Sequence, residues 1–157
     1  MNTQDTHDNA RVVGRPPITY AVSMLAGHFI DIYVPLALPG GDERVMAGRI
    51  ISALSFALFL WSVPLFKRYG TSVKPYRPTS AIIKTGPYRF SRNPIYLSMA
   101  LLHFGVALWN GTWWMLITLA VTFWFMTKFV VEREESYLER SFGEEYMGYK
   151  RSVRRWL

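Results

Sequence analysis

Residues 94–131, PIYLSMALLHFGVALWNGTWWMLITLAVTFWFMTKFVV, decide the fold. The run is apolar from Ile95 to Trp109, pauses at Asn110-Gly111-Thr112, and is apolar again from Trp113 to Val131. Two apolar arms around a glycine-containing pause predict a helical hairpin with a very short turn. Crossing a hydrocarbon layer about 30 Å thick takes about 20 residues. The second arm meets that length; the first is short, so it tilts little or is extended by the residues before it. Trp109, Trp113 and Trp114 mark the hairpin tip, where an aromatic belt meets the headgroups. His103 falls mid-arm and reads as a structural hydrogen-bonding residue facing the bundle or a pocket.

Upstream, residues 18–38 and 45–66 form two more apolar stretches, separated by Pro39-Gly40-Gly41-Asp42. The expectation is therefore an all-α polytopic membrane protein with four transmembrane helices, at about 18–38, 45–66, 94–109 and 113–131. A loop over 67–93 and a C-terminal helical segment over 132–157 complete a single membrane domain, 18–157. Residues 1–17 are polar, end in Pro16-Pro17 and lack the apolar core of a signal peptide, so they read as a mobile tail. His28 and Asp31 are costly at membrane depth and share one helix face. They read as a helix contact or proton path, or as a span end whose boundary lies elsewhere.

Composition agrees with this reading. Half of the 157 residues are hydrophobic and 16% aromatic, while 18% are charged, below the roughly 25% of a soluble domain. The absence of cysteine excludes disulfides, thiolate metal sites and a Cys nucleophile. His7, His28 and His103 are too scattered to suggest a metal centre, and no phosphate-loop, dinucleotide, zinc-protease or serine-hydrolase signature is present. Eighteen Lys and Arg against eleven Asp and Glu give a net charge of +7. Lys67, Arg68, Lys74, Arg77, Lys84, Arg89 and Arg92 crowd the 67–93 loop without an acidic residue, whereas the hairpin tip has no cation. The positive-inside rule then puts that loop and both termini in the cytoplasm. Topology and attraction to anionic lipid account for the charge without nucleic acid.

Two stretches carry candidate chemistry. In residues 84–97, KTGPYRFSRNPIYL, Pro94 fits a first helical turn and Asn93 the N-cap before it. A helix N-terminus beside arginines suits a carboxylate or phosphate, though a basic juxtamembrane turn has the same composition. In Glu132-Arg133-Glu134-Glu135, the last two residues border an apolar stripe of Leu138, Phe142, Tyr146 and Tyr149. A carboxylate there suits a ribose diol, an amine or a cation, and a solvated acidic first turn is the plain alternative. Ser141-Phe142-Gly143-Glu144 matches a capping box, predicting a helix break near Ser141.

Taken together, GPYRFSRNPIYL at 86–97, the hairpin, and EESYLERSFGEEYMGYK at 134–150 resemble the integral-membrane methyltransferases that include isoprenylcysteine carboxyl methyltransferase and the phospholipid N-methyltransferases. Arg68-Tyr69-Gly70-Thr71, Arg77-Pro78 and the closing VRRWL at 153–157 make small bacterial members the nearest in pattern. The resemblance implies S-adenosylmethionine as cofactor, a lipidic or amphiphilic methyl acceptor, and a bacterial cytoplasmic membrane. Carried over by position, Gly86, Tyr88, Arg92, Asn93, Pro94, Tyr96 and Leu97 form one wall of the cofactor site, and Glu134 and Glu135 the other. Arg92, Asn93 and Glu135 take the catalytic places, and Arg89, Arg151 and Arg154 hold an anionic acceptor. Many members have His where this chain has Asn93, and Asn cannot titrate. The competing reading is a non-catalytic four-helix membrane protein whose basic loop binds anionic lipid or a partner. A small transporter built around His28 and Asp31 is a third.

Overall fold

The computed structural model describes residues 15–72 and 79–157. Of the expected tail 1–17, residues 1–14 lie outside the described residues, as do Lys74, Arg77 and Pro78 of the basic loop, while Pro16 and Pro17 belong to a helix, because proline fits a first helical turn. The described chain is helical: α1 Pro16–Tyr33, α2 Asp42–Arg68, a 3-10 turn Gly86–Arg89, α3 Pro94–Asn110, α4 Trp113–Met126, a π turn Thr127–Val131, α5 Glu132–Phe142 and α6 Glu144–Ser152. Prolines open α1 and α3, where a missing N–H forfeits no helical bond. Asp42 and Glu43 begin α2 and Lys67 and Arg68 end it, matching the helix dipole at both ends.

The hairpin turn forms at the residues that the sequence marks. Gly111 takes φ 75°, a left-handed conformation open to glycine, and Thr112 caps α4 by accepting the Trp114 N–H at 3.2 Å. The helix of the fourth apolar stretch does not end at Val131. It continues through the π turn into α5, one rod over Trp113–Phe142.

Helix α3 occupies the middle of the bundle, against α1, α2 and α4, while α1 packs along α4. Small residues allow the closest approach. A Cβ on Gly105 of α3 would lie 2.5 Å from Ser52 Oγ and 2.8 Å from the Gly48 carbonyl oxygen of α2, the small-residue contact by which apolar helices associate without a hydrophobic drive. His103 is fully buried in α3 and meets Tyr20 of α1 edge-on at 6.4 Å. Its polar partner is the Met115 backbone, in a contact looser than a well-formed hydrogen bond.

The outward faces of the helices are apolar: Val22, Leu25 and Phe29 on α1, Leu54, Phe56, Leu60 and Trp61 on α2, and Val121 and Trp124 on α4 are all more than half exposed. A surface this apolar suits hydrocarbon, not water. Two helices, α2 and Trp113–Phe142, are long and apolar enough to cross a membrane, and α3 is a shorter apolar helix.

The first apolar stretch differs most from expectation. Helix α1 stops at Tyr33, short of Leu38, because Asp31 accepts the Leu36 N–H at 3.0 Å and the Thr112 hydroxyl at 2.7 Å. Leu38 N–H then donates to the Gly111 carbonyl at 2.7 Å, and Trp113 N–H to the Leu36 carbonyl at 3.0 Å. The two interhelical connections are thus zipped together at the end of the bundle away from the basic loop. Asp31 is a structural lock there, and exposed His28 packs on Phe29 instead of bonding it.

Gly105→Val should separate α2 from α3 at a cost of about 1–3 kcal/mol, read as a lower thermal midpoint in detergent. Gly148→Ala, with open space around it, should leave that midpoint unchanged or raised.

Candidate functional site

At the basic end of the bundle, a partly open cavity of about 450 Å³ is lined by the start of α1, the end of α2, residues 79–83, the 3-10 turn, the first turns of α3, and α5 and α6. The 3-10 turn aims Tyr88 into it: Gly86 takes φ 58°, and Pro87 restricts the backbone next to it. Tyr88 is held from behind, its ring edge-on to Phe66 and its carbonyl accepting the Tyr149 hydroxyl at 2.7 Å. Burial pushes the Tyr88 phenol well up, so it stays protonated.

The residues after the turn are tied to the tail beyond α6. Arg92 N–H donates to the Arg154 carbonyl at 3.0 Å, and Ser91 Oγ to the Arg155 carbonyl at 3.2 Å. Asn93 stands at the N-cap of α3, but its side chain does not cap the helix. The amide Nδ2 donates to the Arg155 carbonyl at 3.2 Å, since the tail places an acceptor beside it.

Glu135 is the most heavily engaged group. It is 4% exposed. Arg92 Nη2 reaches Glu135 Oε1 at 2.9 Å, and Arg155 Nη2 reaches Oε2 at 2.8 Å, with Arg155 Nε 3.2 Å from both oxygens. A carboxylate removed from water needs such compensation. The remaining donors of Arg92 divide: Nη1 donates to the Lys150 carbonyl at 3.4 Å, while buried Nε has no partner among the described residues.

Glu134 is placed differently. It lies past the apolar part of its helix and accepts a short hydrogen bond from the Tyr96 hydroxyl. Burial pushes its carboxyl up to about 7, opposed by the Tyr96 bond and reinforced by the Glu135 charge. The acidic pair is therefore divided into a clamped carboxylate and a titratable one.

The cavity brings together Tyr88, Arg92, Asn93, Tyr96, Glu134 and Glu135 from the sequence-derived set. Gly86, Pro94 and Leu97 do not line it: Gly86 sits against Leu65 and Trp61, and Pro94 is buried in the first turn of α3. Arg89, Arg151 and Arg154 are exposed and outside the lining; Arg151 pairs with Glu144 at 3.5 Å. Leu138, Tyr146 and Tyr149 of the apolar stripe do line it. The helix break falls at Gly143, φ 52°, two residues past Ser141, because glycine enters that conformation without the Cβ penalty that Ser141 would meet. Two residues went unsuspected. Arg155 could not be told from Arg154 in a doublet outside any helix, and Arg15 carries no motif.

Residues 43–145, more than half of the chain, match the phospholipid methyltransferase family model. A stretch of 63 residues is 40% identical to an uncharacterized protein of Haemophilus influenzae, covering all of that protein and 40% of this chain. The family match runs from the start of α2 to the start of α6 and takes in Tyr88, Arg92, Tyr96 and both cavity carboxylates: the chain belongs to the phospholipid methyltransferase family.

Proposed function

We propose that this membrane methyltransferase uses S-adenosylmethionine to methylate a lipidic or amphiphilic acceptor in the cavity between the α3 entry and α5. The observation that carries the proposal is that the two sequence motifs, separated by a whole helical hairpin, line one partly open cavity. Its volume falls within the roughly 300–1,000 Å³ of small-molecule and cofactor pockets. The donor set fits the cofactor: Arg92 Nε is a buried N–H without a partner among the described residues, suited to a carboxylate, and Glu134 is a carboxyl suited to a cation or diol.

When bound, S-adenosylmethionine supplies an electrophilic methyl group whose sulfur leaves neutral. The chain's work is alignment and exclusion of water. Tyr88 and Tyr96 present aromatic faces that favour a cation. Glu134 supplies negative charge at the wall, Glu135 fixes Arg92, and Asn93 anchors the tail without acting as a base. We infer four membrane crossings, with the cavity and both ends on the cytoplasmic side of a bacterial inner membrane. Lys67, Arg68, Lys84 and Arg89 all gather at the cavity end, which supports that orientation.

Calorimetry in detergent should show S-adenosylmethionine binding, weakened about tenfold or more in Glu134→Gln with the thermal midpoint kept or raised. A folded wild-type protein that does not bind would leave the lipid-binding scaffold as the better reading.

The Glu134 carboxyl also predicts a pH profile. Its folded value, about 7, exceeds its ordinary 4.5, so its contribution to stability is complete below pH 4.5 and disappears as pH rises through 7. A cationic ligand favours the ionised form and expels the proton. Affinity for S-adenosylmethionine should therefore climb between pH 6 and 8, whereas S-adenosylhomocysteine, with a neutral sulfur, should show a flatter profile and Glu134→Gln should abolish the slope.

Incubation with radiolabelled S-adenosylmethionine and a total membrane extract should move label into the lipid fraction. Label confined to water-soluble products would overturn the acceptor class.

A further inference from the structure

The edge of the cavity at α1 is formed by Arg15, Pro16, Pro17 and Ile18. A second, more open depression of about 660 Å³ lies between α1 and α4, lined by Arg15, Ile18, Thr19, Val22, Ser23 and Thr122. The two share Arg15 and Ile18. Ile18 and Val22 are 53% and 59% exposed on the outward face of α1. The polar atoms of the groove are already satisfied: Thr122 Oγ1 donates to Ser23 Oγ at 2.6 Å, and Ser23 Oγ donates to the Thr118 carbonyl at 3.1 Å. An aliphatic chain lying there would strand no donor or acceptor.

Arg15, at the junction, is a different kind of group. Its carbonyl accepts from Thr19, but its guanidinium joins no ion pair among the described residues. Pro16 and Pro17 remove the first two N–H groups of α1, so anion recognition at this edge falls to the guanidinium. The cavity is thus polarised, with carboxylates on the α5 wall and an uncommitted cation where it adjoins the groove. Its 450 Å³ is the size of one small ligand, which leaves the hydrocarbon of an acceptor to lie outside it.

We propose that the groove between α1 and α4 seats the hydrocarbon chain of the methyl acceptor, and that Arg15 selects an acceptor whose head carries an anionic group, phosphate or carboxylate, close to the methylated atom. The proposal rests on reading the cavity as the cofactor site. It assigns to Arg15 a specificity-determining contact and to Ile18 and Val22 the wall along which the chain slides in from the bilayer.

The test is equilibrium binding of three radiolabelled single-chain probes to the full-length protein in detergent at pH 8: oleoyl lysophosphatidate, oleate and monoolein. S-adenosylmethionine binding is measured in parallel. At least one anionic probe should bind about tenfold tighter than monoolein, the factor that one charge-assisted contact carries. Arg15→Gln should erase that preference. Val22→Trp should weaken all three probes by filling the groove, and Arg140→Gln, an exposed cation elsewhere, should change nothing. Preference for lysophosphatidate alone would assign the head as a phosphate, and equal preference for oleate would assign it as any anion. Equal binding of monoolein, a preference that survives Arg15→Gln, or Val22→Trp without effect would each overturn the proposal. Val22→Trp, outside the cavity lining, should bind S-adenosylmethionine as the wild type does. If the wild type binds no S-adenosylmethionine while the Arg15-dependent preference stands, the cofactor reading fails and the lipid site remains.

Discussion

The arrangement depends on one buried carboxylate. Glu135 belongs to α5, Arg92 to the turn before α3, and Arg155 to the tail after α6, and the three meet away from water. Apolar packing adds to the clamp, with Trp156 of the tail 4.7 Å from Phe123 and Tyr137, Tyr146 and Tyr149 buried. Removing one partner of a buried pair costs about 3–5 kcal/mol, since the other charge is left without compensation. The same energy that makes the cluster expensive to disturb makes it a reliable way to fix three distant segments at one point. The backbone bonds from Arg92, Ser91 and Asn93 to the tail then follow as consequences of that alignment.

A division of labour follows from the clamp. Both arginines bond Glu135, and Glu134 bonds Tyr96 instead. Glu135 is locked between two guanidinium groups, whereas Glu134 is left with a tyrosine hydroxyl, and burial pushes its carboxyl up to about 7. Methyl transfer from a sulfonium asks for little proton traffic, which is consistent with an asparagine at position 93 whose amide is committed to the backbone.

Local chemistry was legible in the sequence wherever it acts over short distances. The glycine turn at Gly111 and the proline start of α3 follow from spacing and propensity, and the family resemblance singled out Tyr88, Tyr96 and the two glutamates, whereas Pro16 and Pro17, read as the end of a tail, open α1. Readings failed where a partner distant in sequence decided the outcome. The end of α1 is set by Thr112, 81 residues from Asp31. Asn93 was drawn from its capping role by a carbonyl 62 residues away. The register of the tail, which selects Arg155 over Arg154, is fixed by the same long-range bonds and leaves no periodic trace. The π turn is equally silent in composition, since Thr127–Val131 reads as ordinary apolar helix.

The unbroken helix over Trp113–Phe142 has a mechanical consequence. Its apolar half is gripped by whatever hydrocarbon surrounds it, and its charged half forms a wall of the cavity. A rod of this kind is a lever: leaflets of different thickness change the tilt of a membrane helix, and the widened turn at Thr127–Val131 joins the apolar half to the half that carries Glu134. The wall that carries Glu134 is thereby joined by one continuous helix to the part of the chain that faces hydrocarbon.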